Sequence, residues 1–176
     1  MATTKNTFIS DLHLACANDV LRPAMQCVHF KDGFAYASDA YVVIKQPLHF
    51  NLVDNMDILD GVSIHSESFK AIRKMKHVTA TDDGFECISK DGSNVFYAYS
   101  TGLDMPNFEA VLKPKGVQMM GEIGVTPKLI GVLSKAMAGG DGVKMTFQGQ
   151  GEGILFEPLS EEYEGEIAMV MPRMIS

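Results

Sequence analysis

One pattern recurs three times along the 176-residue chain: a short strand, a helix, then three strands separated by turns. The spacing is roughly 55 residues, near the period range of repeat architectures. In the first copy FISDLHLACA, near Thr7, reads as a strand entering a short helix with Ser10 as N-cap. MQCVHFKDG, FAYASDAY and VVIKQPL follow as strands. The second copy starts at Gly61 with GVSIHS, then the helix SESFKAIRKMKH capped by Ser66, then HVTATDD, FECISKD and SNVFYAYST. The third starts near Val117 with the strand VQMMGEIGV, then the helix TPKLIGVLSKAM with Thr126 at the cap and Pro127 at the first helical position. GVKMTFQ, GILFEP and EIAMVMP close it. Asp32-Gly33, Asp83-Gly84 and Asp91-Gly92 are hairpin-turn signals. The pattern predicts an α+β fold, with three β-α-β-β-β units and helices on one side of antiparallel sheets. NLVDNMDILD, between the first two units, reads as a surface connector.

With 46% hydrophobic residues the chain can build a core, and no apolar run reaches bilayer-spanning length. MATTKNTF has no signal-peptide core, so a cytoplasmic location without membrane contact is expected. Cys16, Cys27 and Cys87 form no CxxC pair, which points to ordinary reduced thiols. His13 and Cys16 are three apart with no second ligand pair, so no metal and no cofactor are expected. Asp39 reads as a turn acceptor, and Glu161, Glu162, Glu164 and Glu166 as a solvated acidic run. Neither a P-loop nor a nucleophile elbow is present, and no catalytic activity is expected. The net charge of −7 argues against wholesale coating of nucleic acid, yet leaves room for a local basic stripe.

The second helix carries such a stripe. At helical spacing Lys70, Arg73, Lys74 and His77 share one face, opposite Phe69, Ile72 and Met75. On one helix alone this is the ordinary pattern of a solvated face. The third helix repeats it with Lys128 and Lys135 opposite Leu129, Val132, Leu133, Ala136 and Met137. The first helix carries Asp11 and His13 but no Lys or Arg. Lysine-bearing helices without a base-reading motif suit phosphate contact that is salt-dependent and indifferent to sequence.

Several stretches resemble one family. LRPAMQCVHFKDGFAYASDAYVVIKQPL is similar to the middle domain of bacterial sliding clamps, the β subunit of DNA polymerase III. GVSIHSESFKAIRKM resembles the strand and helix that follow there, and STGLDMPNFEAVLKP the G-x-F-P-x-(Y/F)-x-x-V-x-P loop. AMVMPRM resembles the closing V-V-M-P-M-R-L. The resemblance runs from about Val20 to Ser176 and implies a DNA-clamp-like fold. In it, 1–116 corresponds to the two-unit middle domain and 117–176 to the second half of the last domain. The chain departs from the pattern at Ala40, where the family turn has glycine, at Ala110, where it has a basic residue, and in the order of Arg173 and Met174.

The resemblance implies a processivity factor that rides on duplex DNA and tethers a polymerase or other replication protein by a linear peptide. Val43, Pro106, Val111, Met169, Val170, Met171 and Pro172 would form the apolar peptide pocket. Flexible, polarisable methionine suits a surface that accepts several peptides. Alternation puts Met169 and Met171 on one face and Ala168 and Val170 on the other, and leaves open which face is core. The alternative function is a clamp-derived module that binds a peptide but not DNA. An odd number of units also implies a homo-oligomer, a dimer through 117–176 and, doubled, a dimer of dimers that closes a ring.

Overall fold

The structure, a computed structural model, describes residues 7–119, 121–139 and 142–174. The first six residues and Met120 of the expected domains, and Ile175 after the closing strand, lie outside the described residues.

Unit one supplies β1 (Cys27–Lys31), β2 (Phe34–Ser38) and β3 (Val42–Pro47). Asp32 and Gly33 turn β1 into β2 with φ values of 49° and 80°, the left-handed pair that an Asp-Gly hairpin needs. Its expected helix is a 3-10 turn, Leu12–Ala15, and the Ser10 hydroxyl caps nothing there but donates to Gln46 Oε1 at 3.0 Å. Unit two supplies β4 (Ser63–His65), α1 (Ser66–Ile72), β5 (His77–Ala80), β6 (Gly84–Ile88) and β7 (Asn94–Ala98). The N-cap of α1 is His65, whose Nδ1 accepts from the Glu67 N–H at 3.3 Å, while Ser66 is the first helical residue. Gly84 lies inside β6 rather than in a turn, and a Cβ there would stand 2.3 Å from the Tyr97 carbonyl oxygen. The loop to unit three carries α2 (Phe108–Leu112).

Unit three supplies α3 (Pro127–Ala136), β8 (Val143–Thr146), β9 (Ile154–Pro158) and β10 (Ile167–Val170). Thr126 and Pro127 open α3 as expected. Among its described residues VQMMGEIGV does not form the expected strand: Gly124 bridges to Arg173, and the Gln118 N–H donates to the Phe147 carbonyl at 2.9 Å. The connector after β3 is not a purely surface segment either: Val53 and Leu59 are buried, and Asp54 bridges to Thr79 of β5.

All strand pairs are antiparallel. One sheet runs β4-β1-β2-β3-β10-β9-β8 and a second runs β5-β6-β7. Unit three is therefore not a separate body, because β10 lies against β3 with Met169 opposite Val43 and Val170 opposite Val42. On the helix side of this seam Val42, Ile44, Ala168 and Val170 join a core shared by all three units, with Phe30, Phe69, Phe85 and Leu133. On the other side α2 covers a smaller cluster of Tyr36, Val43, Leu155 and Met169. Both faces of the seam are buried, so both faces of EIAMVMP are apolar.

Glu166 corrects the reading of a solvated acidic run. Glu161, Glu162 and Glu164 are exposed, but Glu166 is 2% exposed. Its carboxylate accepts from the Ala138 N–H at 2.8 Å, the Gly139 N–H at 2.9 Å and Gln46 Nε2 at 2.7 Å. The charge is tolerated because every donor and acceptor there is matched.

Candidate nucleic-acid and peptide interfaces

The helix α1 is two turns long because Phe69 and Ile72 anchor one face in the core while the chain must turn at 73–76 to start β5. Lys70 and Lys74 are exposed, and Lys70 lies 3.5 Å from Glu67. Arg73 is half-buried, with its guanidinium ion-paired to the Asp11 carboxylate and 3.4 Å from the Ile9 carbonyl. Burial lowers its pKa, and Asp11 supplies the compensating charge. His77 does not belong to the helix. It opens β5 on the face shared with Thr79, Glu86 and Phe96, where Val78 faces the core, and its Nε2 lies 3.0 Å from Asp54. Of the four basic residues that helical spacing puts on one stripe, Lys70 and Lys74 stand exposed on the helix layer.

On α3 the side chains of Leu129, Leu133 and Ala136 are buried, and Lys128 and Lys135 are exposed. A groove of about 590 Å³ runs between α1, the 12–15 turn and α3, and Lys70, Lys128, Lys135, His13 and Ser134 line it. Burial first, and then the neighbouring Lys70 charge, lower the His13 pKa below the ordinary 6.5. The imidazole is thus neutral near pH 7, and the groove's positive charge comes from lysines.

At the seam the expected pocket residues separate. Val43 and Met169 are 4% exposed beneath Phe108 and Leu112 of α2, and Val170 is fully buried on the helix side. The Phe108 ring stacks on Tyr36 at 5.3 Å and 9°. Beside them Glu109 Oε1 accepts from the Tyr36 hydroxyl at 2.7 Å and lies 2.6 Å from Lys45 Nζ, which sits 4.0 Å over the Phe34 ring. Burial, and then Glu109, push the Tyr36 phenol up; the Lys45 hydrogen bond, and then that from Tyr36, hold Glu109 below the ordinary 4.5. Pro106 is half-buried, and Val111 is exposed on α2. The loop therefore fills the outer side of the seam.

An open groove lies at the other end of β10. Met171 donates its N–H to the Tyr41 carbonyl at 2.8 Å, which leads the chain out beside the 38–41 turn. Met171 and Pro172 line a groove of about 900 Å³ with Leu14, Tyr41, Leu129 and Val132. Arg173 and Met174 also line it. Tyr41 and Met174 are 62% and 75% exposed, yet neither belongs to the pocket set read from the resemblance. The signal for Tyr41 was a large apolar residue next to a forced turn: Ala40 has φ +76°, and Asp39 Oδ1 accepts from the Tyr41 and Val42 N–H groups at 2.8 Å. Asp39 is thus a turn acceptor, as expected. Lys128 borders both grooves, so the basic and apolar surfaces adjoin.

Paired units, antiparallel sheets and a helix layer on one side define a DNA-clamp-like fold. The β subunit of DNA polymerase III from Thermotoga maritima superposes with a TM-score of 0.62 at 12% identity, over 94% of this chain and 62% of that one. A DNA polymerase sliding clamp from Pseudomonas aeruginosa, solved with a ligand, gives 0.57 at 10% identity, over 99% of this chain and 68% of that one. The chain spans about three fifths of the length of the Thermotoga protein and about two thirds of the Pseudomonas one. The sequence itself matches no family model and no curated protein. Among the described residues no helix is long and apolar enough to cross a membrane.

Proposed function

We propose that the chain is a sliding-clamp-like processivity factor. It associates with duplex DNA without sequence preference, tethers a polymerase or other replication protein by a linear peptide, and works as a homo-oligomer through 117–176. The observation that carries the reading is the single groove lined by Lys70 of unit two and by Lys128 and Lys135 of unit three, on the helix side of a clamp-like fold. Lys74, exposed just past α1, extends the same side. Arg73 and His77 leave the contact set, since Arg73 is half-buried against Asp11 and His77 lies on β5 rather than on the helix. The peptide surface is the groove of Met171, Pro172 and Tyr41. Pro106 and Val111 stand over the seam, and Val43, Met169 and Val170 support from below. In this role the chain makes and breaks no bond; it holds the partner on its template.

The test is duplex binding across a salt series, with two unrelated sequences. The two should bind alike, and Lys70→Glu with Lys128→Glu and Lys135→Glu should abolish binding. Each lysine that reaches a phosphate contributes about 0.9 to the slope of log affinity against log salt. The alternative, a peptide-binding module without DNA, draws on the net charge of −7 and the loss of Arg73 to Asp11. It prevails if the unaltered protein binds no duplex at low salt; duplex binding that survives the triple charge reversal unchanged instead overturns the lysine groove as the DNA surface.

A further inference from the structure

Units one and two are joined by an exchange that unit three repeats only halfway. β4, the first strand of unit two, adds to the outer edge of β1, with Val28 opposite Ile64 and His29 opposite Ser63. The other edge of β4 is held by its own unit: the Ser100 N–H, just past β7, donates to the Ser63 carbonyl at 2.8 Å.

Gly124 stands in unit three where Ser63 stands in unit two, two residues before the N-cap of the helix that follows. The Arg173 N–H, just past β10, donates to the Gly124 carbonyl, again at 2.8 Å. Ile123 and Val125 pack on the helix-side core as Val62 does, and as the buried Ile64 does within it. One edge of 123–125 is therefore set as in β4. Among the described residues no strand borders the other edge. The complementary half is open too. β8 follows α3 as β1 follows the 12–15 turn, and it ends the sheet. Val28 and Phe30 of β1 are fully buried, whereas Val143 and Met145 of β8 are 37% and 44% exposed.

We infer that a second copy of this chain completes unit three, with residues 123–125 of each copy adding antiparallel to the outer edge of β8 in the other. This deepens the clamp-like reading by naming the partner and the contact in its homo-oligomer. Among the described residues of unit three, 123–125 and the outer edge of β8 both lack a neighbour, so a two-fold exchange satisfies both in each of two copies, whereas a single head-to-tail contact between two copies leaves one of each open. The register of β4 on β1 carries over with Val125 opposite Val143, Gly124 opposite Lys144 and Ile123 opposite Met145. Apolar pairs then meet on the helix side, and no like charges stand opposite each other.

The experiment combines sedimentation of the full chain at micromolar concentration with a Val125→Cys/Val143→Cys double variant under mild oxidation. A dimer is expected, locked covalently by the double variant and by neither single one. Met145→Asp, on the exposed edge, should weaken the dimer at least about tenfold with an unchanged circular dichroism spectrum. A folded monomer, or larger assemblies without the cross-link, overturns the inference. Duplex binding measured on the same samples separates the two ideas. A monomer that binds DNA keeps the clamp-like reading and sinks the exchange; a cross-linked dimer that binds no DNA does the reverse.

Discussion

Replacing Glu166 by alanine removes the acceptor of a buried network that ties unit one to unit three. Three donors lose their partner: Gln46 Nε2 and the N–H groups of Ala138 and Gly139. Each orphaned buried donor costs about 1–3 kcal/mol, and relaxation keeps neighbouring losses from adding in full. The expected loss is on the order of 3–5 kcal/mol, a large part of the 5–15 kcal/mol typical of a domain. Glu166→Gln is the sharper probe. Its carbonyl can still serve Gln46 and Ala138, which share Oε1, while its amide meets the Gly139 N–H donor to donor. One mismatch should cost about 1–3 kcal/mol. Exposed Glu161→Ala should stay within about 0.5 kcal/mol of the parent. Urea denaturation gives the three values, and amide hydrogen exchange should show β3 and β10 opening first in the alanine variant. A loss below about 1 kcal/mol for Glu166→Ala, or equal losses for Ala and Gln, would refute the network as a seam clamp.

Three further outcomes are expected. Ala40→Gly should stabilise by a few tenths to about 1 kcal/mol, since the φ of +76° costs alanine about 1–2 kcal/mol and glycine's extra unfolded-state freedom offsets part of it; a lowered melting temperature would contradict this. Phe108→Ala should cost about 3–5 kcal/mol and speed proteolysis within 101–116, because the ring is 5% exposed and stacked on Tyr36; normal proteolysis would show that α2 is held by other contacts. Burial lowers the pKa of both His13 and His29 from 6.5, so the folded chain binds fewer protons than the unfolded one. Their contribution is present above pH 6.5 and is lost as pH falls through the lowered folded values. Glu109 adds a second loss that sets in below its ordinary 4.5, as pH falls through a folded value lowered by Lys45 and Tyr36. Denaturation midpoints that rise between about pH 7 and about pH 5.5 would contradict the histidine assignment.

Much of the fold was legible because its signals are local. The Asp32-Gly33 turn and the Thr126-Pro127 helix start need only their own backbone preferences. The order of elements followed from apolar period, and the clamp-like fold from the order of motifs. The site was legible in part. Lys70, Lys128 and Lys135 project where helical spacing puts them. His77 does not, because Lys76 and His77 are recruited to pair beside Ile88, and sheet pairing overrides helix continuation. Arg73 reads as one more free cation until Asp11, 62 residues earlier, is brought beside it.

The sequence by itself determined the three-unit plan, the turns, the lysine faces and the sulfur-rich closing strand. Tertiary structure alone decided that β10 pairs with β3, that α2 fills the outer side of the seam, that Glu166 is buried, and that the open groove lies at Met171 and Tyr41. The physical reason is range. Helix and turn preferences act between residues a few positions apart, whereas strand neighbours and the burial of either sheet face are chosen by contacts across more than a hundred residues. A strand apolar on both faces carries no mark of which side a partner will cover.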